Sequence, residues 1–334
     1  MAEAVVEVRR GDIVESRHEV HIAVVDGSGR LRAHAGNPGL VAFARSTIKP
    51  MQTVPIIEDG AAERFAFTEP ELALCCASHS GEPRHVAVVE GMLRKIGAAE
   101  DALACGPHVP MGRAAAEELA EKRLEPRRVH NNCSGKHAGM LALARVNGWP
   151  LAGYHEAGHP VQERMQQELA RWAEMDADDL GTAVDGCGVI TFALPVERLA
   201  LAFARFAAAA RRGDTTASTV VQAMMRNPEY IAGTDRMCTE LMRVARGRIF
   251  AKVGAEGVYC AGIPGAELGI ALKVDDGATR AAEPALIATL NALAILSDDE
   301  VADLALFAEP DISNTRGERV GELRARIRLE AHHE

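Results

Sequence analysis

The sequence predicts an α/β fold: an antiparallel sheet domain built from both ends of the chain, with a helical domain inserted between them. Aliphatic, β-branched segments of strand length occur near both termini, whereas the apolar residues in between follow helical spacing. Strands separated in this way by a helical block indicate a discontinuous α/β domain. The predicted domains are residues 1–45 and 248–334 for the sheet and residues 46–247 for the helices.

The individual elements follow from local patterns. Near the start, Asp26-Gly27-Ser28-Gly29 is typical of a hairpin turn within a small antiparallel meander. Strands are predicted over residues 4–9, 18–25, 31–34, 248–253, 257–260, 268–274 and 320–327. Helices are predicted over residues 71–77, 84–96, 113–122, 136–146, 161–175, 196–211, 216–225, 235–246 and 283–296.

Composition limits the function classes. A chain of 334 residues with 48% hydrophobic content can bury a large core. Its net charge of −10 is spread over interspersed acidic and basic residues, which argues against a nucleic-acid partner. The apolar segments are too short to cross a bilayer, and the first residues lack a secretory-signal pattern, so a cytoplasmic protein without a membrane partner is expected. Seven cysteines without close repeated spacing argue against a disulfide framework.

One short motif suggests covalent catalysis. Ser46 and Lys49 are three residues apart, and Pro50 follows directly, which favours a helix start with both side chains on one face. A lysine that loses its charge by burial can take the proton of a serine hydroxyl and make it a nucleophile. Taken alone, the same pattern also fits a capping serine followed by a solvated lysine.

Two further segments give this motif a context. Ser78-His79-Ser80-Gly81-Glu82 follows a predicted helix, and Lys252-Val253-Gly254 ends an apolar strand. Each has an ordinary structural interpretation, as a helix-ending loop or a strand end. In order, however, S-x-x-K, S-x-S and K-x-G resemble the layout of serine β-lactamases and penicillin-binding proteins.

Longer motifs point to a narrower family. The motifs are RSTIKPMQ at 45–52, SHSGEP at 78–83, NNCSGKHAGM at 131–140 and VDGCGV at 184–189. Together they resemble the rhizobial-type (class 3) L-asparaginases, which are related in fold to serine β-lactamases and glutaminases. The resemblance extends from the first meander to residues 314–318 and implies a homodimeric enzyme that hydrolyses L-asparagine.

The resemblance also implies roles for particular residues. Ser46 would pair with Lys49, and Ser78 with Lys252, around one pocket. Ser46 is expected to be the nucleophile and Lys49 its base, with Ser78 and Lys252 relaying protons, although the two pairs could exchange roles. Two further residues are expected to contact the substrate carboxylate, namely Arg45 and His137.

Two cysteines lie in unusual surroundings. Cys133 precedes a predicted helix on which Lys136 can face the same point, and Cys187 follows Asp185 in a tight turn. From the residues alone, two buried thiols are a more ordinary interpretation than a metal site, because no C-x-x-C pair is present. The resemblance implies zinc, about one ion per chain, bound by Cys133, Cys187 and Lys136, with Asp185 supporting these ligands.

Two other functions stay open. A glutaminase or another serine acyl hydrolase of the β-lactamase-like fold would use the same residues, since glutamine differs from asparagine by one methylene, which a pocket discriminates by only about 1–3 kcal/mol. A non-catalytic binding protein stabilised by zinc could keep the fold without turnover.

Overall fold

The computed structural model describes residues 3–332, and within them the predicted α/β organisation is confirmed. The strands are β1 Glu3–Arg10, β2 Ile13–Asp26, β3 Leu31–Ala35, β4 Val41–Phe43, β5 Gly181–Val184, β6 Ile190–Pro195, β7 Phe250–Val253, β8 Val258–Ile263, β9 Leu268–Val274, β10 Asp311–Ser313, β11 Arg319–Arg328 and β12 Glu330–Ala331. Residues 1, 2, 333 and 334, which the predicted sheet domain includes, lie outside the described residues.

Helices account for much of the remaining chain. They are α1 Lys49–Glu58, α2 Ala61–Arg64, α3 Glu69–Cys75, α4 Pro83–Ile96, α5 Arg113–Glu121, α6 Ser134–Val146, α7 Pro160–Ala173, α8 Val196–Arg211, α9 Thr215–Arg226, α10 Pro228–Ile231, α11 Met237–Ala245, α12 Thr279–Ala292, α13 Asp298–Asp303 and α14 Ala305–Ala308. Within residues 3–332, no helix has the length and apolar character that crossing a lipid bilayer requires.

Both ends of the chain contribute to one antiparallel sheet. Its order is β10-β11-β1-β2-β9-β8-β7, and β3 pairs with both β2 and β12. The first and last strands meet in register, with Glu3 opposite Arg328 and Val6 opposite Ala325. Alternation along β1 buries Val6 and Val8, so this face forms part of the core.

The chain divides into two compact units. Unit 1 comprises Met1–Thr47, Ala193–Ala208 and Glu240–Glu334, and unit 2 comprises Ile48–Phe192 and Ala209–Thr239. The division differs from the predicted one mainly at residues 193–208, which lie in the predicted helical domain but belong to the sheet unit. Packing explains this difference, because a Cβ atom added to Gly269 of β9 would lie only 2.1 Å from the Ala200 carbonyl oxygen of α8.

Unit 2 has α6 at its centre. Every residue of this helix from Ser134 to Ala144 is buried, which is typical of a helix enclosed on all sides by other elements. The motif at 131–140 therefore lies in the core of unit 2.

Candidate active site

Two glycines let α6 approach its neighbours closely. A Cβ atom on Gly135 would lie 2.4 Å from the Leu74 carbonyl oxygen, and one on Gly139 would lie 2.8 Å from the Cys75 sulfur. Any side chain at these positions would collide with α3. Because these two positions, one helical turn apart, have no side chains, α6 packs directly against the end of α3. The loop that carries Ser78 follows α3 in the chain.

Lys49 is the first residue of α1 and is almost fully buried, at 1% exposure. Its Nζ atom lies 2.6 Å from the Ala77 carbonyl oxygen, 3.0 Å from Ser78 Oγ and 3.1 Å from Cys133 Sγ. A lysine amine can make at most three such hydrogen bonds besides its bond to carbon. Lys49 is therefore held in one place, in contact with a serine hydroxyl and a thiol.

Hydrogen bonds to the end of α10 and to the segment that follows it hold the loop that carries Ser78. The Ser78 N–H donates to the Ile231 carbonyl oxygen at 2.9 Å, and the Ser80 hydroxyl donates to the Ala232 carbonyl oxygen at 2.8 Å. Arg236 also donates to Ser80 Oγ at 3.3 Å. Residues 231–236 were not predicted to support the site. The polar segment Gly233-Thr234-Asp235-Arg236 is the only sequence signal for this role.

His79 connects this loop to α6 as a neutral ring. Its Nδ1 accepts a hydrogen bond from the Gly81 N–H, so Nε2 carries the proton and donates to Ser134 Oγ at 2.9 Å. Ser134 in turn donates to the Val129 carbonyl oxygen. Burial, together with nearby His85, lowers the pKa of His79 well below 6.5, which agrees with the neutral form.

The structure brings Cys133 and Cys187 into contact. Cys133 lies immediately before α6, and Cys187 lies in a tight turn in which the Gly188 N–H donates to the Asp185 carbonyl oxygen. The side chains of Cys133 and Cys187 are hydrogen-bonded to each other. Lys136 Nζ donates to Cys187 Sγ at 3.1 Å, and Asp185 Oδ2 lies 3.8 Å from the same sulfur.

Charges in this cluster are strongly coupled. The hydrogen bond from Cys133 lowers the pKa of Cys187 to about 5 against the opposing effect of burial, with a further contribution from the Lys136 ammonium. The same hydrogen bond and burial raise the pKa of Cys133 to about 12. Burial disfavours the Lys136 ammonium, but the Cys187 thiolate outweighs burial and raises the pKa of Lys136. Without a metal, the cluster is thus a thiolate–ammonium pair with a neighbouring thiol.

The donor set fits a zinc ion. Two sulfurs and one amine converge, and thiolate is a preferred zinc ligand. Within residues 3–332, no group of three or more histidine, cysteine or acidic side chains is placed to hold a metal, so a site here depends on Lys136 as an unusual third ligand.

His137, one residue after Lys136, is fully buried. Its Nδ1 lies 2.5 Å from the Tyr154 hydroxyl oxygen, which also accepts a hydrogen bond from the Ala104 N–H at 2.9 Å. Its Nε2 atom is buried and has no hydrogen-bond partner among the described residues. Burial and the neighbouring Lys136 charge lower the pKa of His137 well below 6.5.

Unit 1 contains the other predicted residues. Ser46 lies in a 3₁₀ turn, Arg45–Ile48, rather than in the α-helix that begins at Lys49. Arg45 has φ 51°, a left-handed conformation that non-glycine residues seldom adopt and that concentrates at functional sites. Both Arg45 and Ser46 are half-buried.

Lys252 lies on β7 directly opposite Cys260 of β8 and is fully buried. Its Nζ donates to the Val253 carbonyl oxygen at 2.8 Å. Two residues further on, a Cβ atom on Gly254 would lie 3.0 Å from Thr47 Cγ2 and 3.2 Å from the Ala44 carbonyl oxygen. The glycine of the K-x-G motif therefore lets the end of β7 lie against the turn that carries Ser46.

The structure thus groups the predicted residues in two sets. In unit 2, His137 directly follows Lys136 on α6, and contacts bring together Lys49, Ser78, Cys133, Lys136, Asp185 and Cys187. Unit 1 contains Arg45, Ser46 and Lys252. The contact between Lys49 and Ser78 joins members of the two expected serine–lysine pairs.

The chain matches the model of a known protein family. The family model for L-asparaginase II matches residues 6–325. The chain belongs to the L-asparaginase II family, a family of amide hydrolases, and this confirms the resemblance found in the sequence. No curated protein sequence matches the chain significantly.

Solved structures also match the chain, at low sequence identity. Mglu in its native form is 18% identical, with a TM-score of 0.37 over 83% of this chain and 64% of its own. Mglu in its glutamate form gives the same identity and TM-score over 84% of this chain and 62% of its own. A β-lactamase from Mycobacterium bovis is 15% identical, with a TM-score of 0.41 over 82% of this chain and 94% of its own. The chain therefore spans 64% of the length of native Mglu.

Proposed function

We propose that the protein is an L-asparaginase that hydrolyses L-asparagine to L-aspartate and ammonia through a serine acyl-enzyme. The observation that carries this proposal is the contact between Lys49 Nζ and Ser78 Oγ at 3.0 Å, in a buried environment next to α6. A buried amine beside a hydroxyl is the arrangement that serine–lysine catalysis needs, because the amine can take the hydroxyl proton. Family membership supplies the amide as the class of substrate.

Ser46 is proposed as the nucleophile, with Lys49, Ser78 and Lys252 completing the catalytic set. The serine oxygen attacks the side-chain amide carbon, the C–N bond breaks, and ammonia leaves with the proton that the base has taken from the hydroxyl. Water then hydrolyses the resulting aspartyl ester and regenerates the serine. Arg45 and His137 are proposed to contact the substrate carboxylate.

The Lys49–Ser78 contact also favours an exchange of roles. If Ser78 is the nucleophile, Lys49 is already in hydrogen-bond contact as its base. The variants Ser46→Ala and Ser78→Ala separate the two assignments. The nucleophile variant should form no covalent intermediate, whereas the relay variant should form it slowly.

A zinc ion is proposed at Cys133, Cys187 and Lys136, with Asp185 supporting Cys187 from 3.8 Å. When bound, zinc would supply a fixed positive charge that organises these side chains. Because the Cys133 sulfur also accepts a hydrogen bond from Lys49, the position of the catalytic amine depends on how Cys133 is held.

Ammonia release tests the proposed substrate. Purified protein is incubated with L-asparagine, L-glutamine and a β-aspartyl dipeptide, and the exposed Ser28→Ala variant serves as a control for serine replacement. The proposal expects the highest kcat/KM with L-asparagine. A higher kcat/KM with glutamine would favour a glutaminase, and no release from any amide would favour a non-catalytic binding protein.

A further inference from the structure

Tyr154 makes an unusually close contact with a proposed substrate-binding residue. It is 1% exposed, and its hydroxyl oxygen lies 2.5 Å from His137 Nδ1. The two rings meet edge to face, with centroids 5.6 Å apart. The Ala104 N–H donates to the same hydroxyl oxygen, so its position is fixed from two directions.

These contacts determine where the proton of His137 lies. The phenol O–H must donate to an acceptor when it is buried, and the acceptor at 2.5 Å is His137 Nδ1. Nδ1 can accept only when it carries no proton, so the neutral ring carries its proton on Nε2. That Nε2–H is buried and has no acceptor among the described residues.

A buried donor without a partner is costly, so the Nε2–H of His137 is suited to bind an acceptor. His137 directly follows Lys136 on α6, and its backbone N–H donates to the Cys133 carbonyl oxygen at 3.0 Å, so it belongs to the segment that carries the candidate site in unit 2. A carboxylate is the acceptor that the proposed substrate supplies.

We propose that Tyr154 is a positioning residue that fixes the Nε2–H tautomer of His137 so that this N–H donates to the α-carboxylate of the amino-acid substrate. This inference rests on the proposed function for the identity of the substrate. The tautomer itself depends only on the two contacts of the Tyr154 hydroxyl.

Nuclear magnetic resonance of ¹⁵N-histidine-labelled protein tests the tautomer directly. In the wild type, His137 should show the neutral ring with the proton on Nε2. In Tyr154→Phe, this form should give way to a mixture of tautomers. A wild-type ring protonated on Nδ1, or an unchanged tautomer in Tyr154→Phe, would overturn the proposal.

Steady-state kinetics test the consequence for substrate binding. Loss of one oriented hydrogen bond should raise KM for L-asparagine about tenfold in Tyr154→Phe and leave kcat nearly unchanged. Tyr259→Phe, which changes a fully buried tyrosine of β8, should leave KM unchanged. A loss of thermal stability in Tyr154→Phe without a change in KM would mean a structural role only.

A further test adds Tyr154→Phe to a protein that already carries His137→Gln. Its amide N–H takes the place of Nε2–H and has no tautomer to set, so adding Tyr154→Phe should not raise KM further. An independent, additive effect of Tyr154→Phe in this background would contradict the proposal. If the wild type hydrolyses no amide, the same variants are compared for binding of L-aspartate by calorimetry, so that failure of the proposed function and failure of this inference give different results.

Discussion

The Nζ atom of Lys49 and the Sγ atom of Cys133 are 3.1 Å apart, so the proposed catalytic base touches a proposed zinc ligand. The same amine contacts Ser78 Oγ at 3.0 Å. One side chain thus connects the hydroxyl that would react to the cluster that would bind metal. Changes at Cys133 should therefore alter the placement of the Lys49 amine as well as the binding of an ion.

Removing the Lys49 amine should stop catalysis with little effect on the fold. Lys49→Met keeps the length and apolar stem of the side chain but cannot take a proton from a serine. We expect kcat to fall by about 10²- to 10⁴-fold, as for loss of a general base. Ammonia release measures this effect, and circular dichroism checks the fold. The exposed Lys122→Met variant is the control, and near-normal turnover by Lys49→Met would contradict the assignment.

Removing a cysteine of the cluster should remove the metal. Cys187→Ser replaces the thiolate at the centre of the proposed ligand set with a much weaker zinc ligand. We expect zinc content to fall from about one ion per chain to near zero. Elemental analysis of protein purified without chelators measures the ion. Cys238→Ser should keep it, and an equal zinc content in both variants would place the ion elsewhere.

The α6 glycines should tolerate no side chain. In Gly135→Ala, the new methyl group would lie 2.4 Å from the Leu74 carbonyl oxygen, so α6 must move away from α3. We expect a loss of about 1–3 kcal/mol in the free energy of unfolding, as for other overpacked cores. Chemical denaturation measures it.

A glycine in α4 provides the matched control. A Cβ atom on Gly91 would meet only the end of the Arg94 side chain, at 3.8 Å. Gly91→Ala should therefore stabilise the protein by about 0.5–1 kcal/mol, because alanine is the better helix former. If Gly135→Ala were as stable as Gly91→Ala, the close contact of α6 with α3 at Gly135 would be contradicted.

Acid should destabilise the protein through buried histidines. The pKa values of His79 and His85 are lowered from 6.5, mainly by burial. As the pH falls below about 6.5, the unfolded chain takes up protons that the folded rings refuse, so stability is full above this pH and declines below it by up to about 1.4 kcal/mol per pH unit for each ring.

The variant His79→Gln tests this dependence, since glutamine does not titrate. The decline in Tm between pH 7 and pH 5 should be shallower in His79→Gln than in the wild type. The exposed His108→Gln variant should match the wild-type slope. Parallel curves for His79→Gln and the wild type would contradict a lowered pKa of His79 in the folded state.

Much of the fold follows from local patterns in the sequence. Strand β9 and helix α8 occur at the predicted residues, and β1, α6 and β11 differ from the prediction by only one or two residues at an end. Strands β5 and β6 were missed, because short strands inside a long helical block do not change the overall spacing. Residues 193–208 belong to unit 1, in which α8 packs closely against Gly269 of β9. Local patterns could not predict this contact, because its two partners are far apart in the sequence.

The sequence named residues for the candidate site but predicted only some of the contacts among them. The family resemblance implied that Cys133, Cys187 and Lys136 share one site, and the structure brings these three side chains into hydrogen-bond contact. The contact of Lys49 with Ser78 did not follow from spacing, since it depends on how the chain after α3 folds against α1. The contact of Tyr154 with His137 had no sequence signal, because it joins a buried turn to a helix through two side chains.

Covalent serine–lysine catalysis is tested by mass spectrometry of protein quenched during turnover of L-asparagine. We expect one aspartyl group per chain, bound as an ester to Ser46, or to Ser78 if the two serines exchange roles, and no adduct in Lys49→Met. Steady ammonia release without any ester on either serine would contradict covalent serine–lysine catalysis.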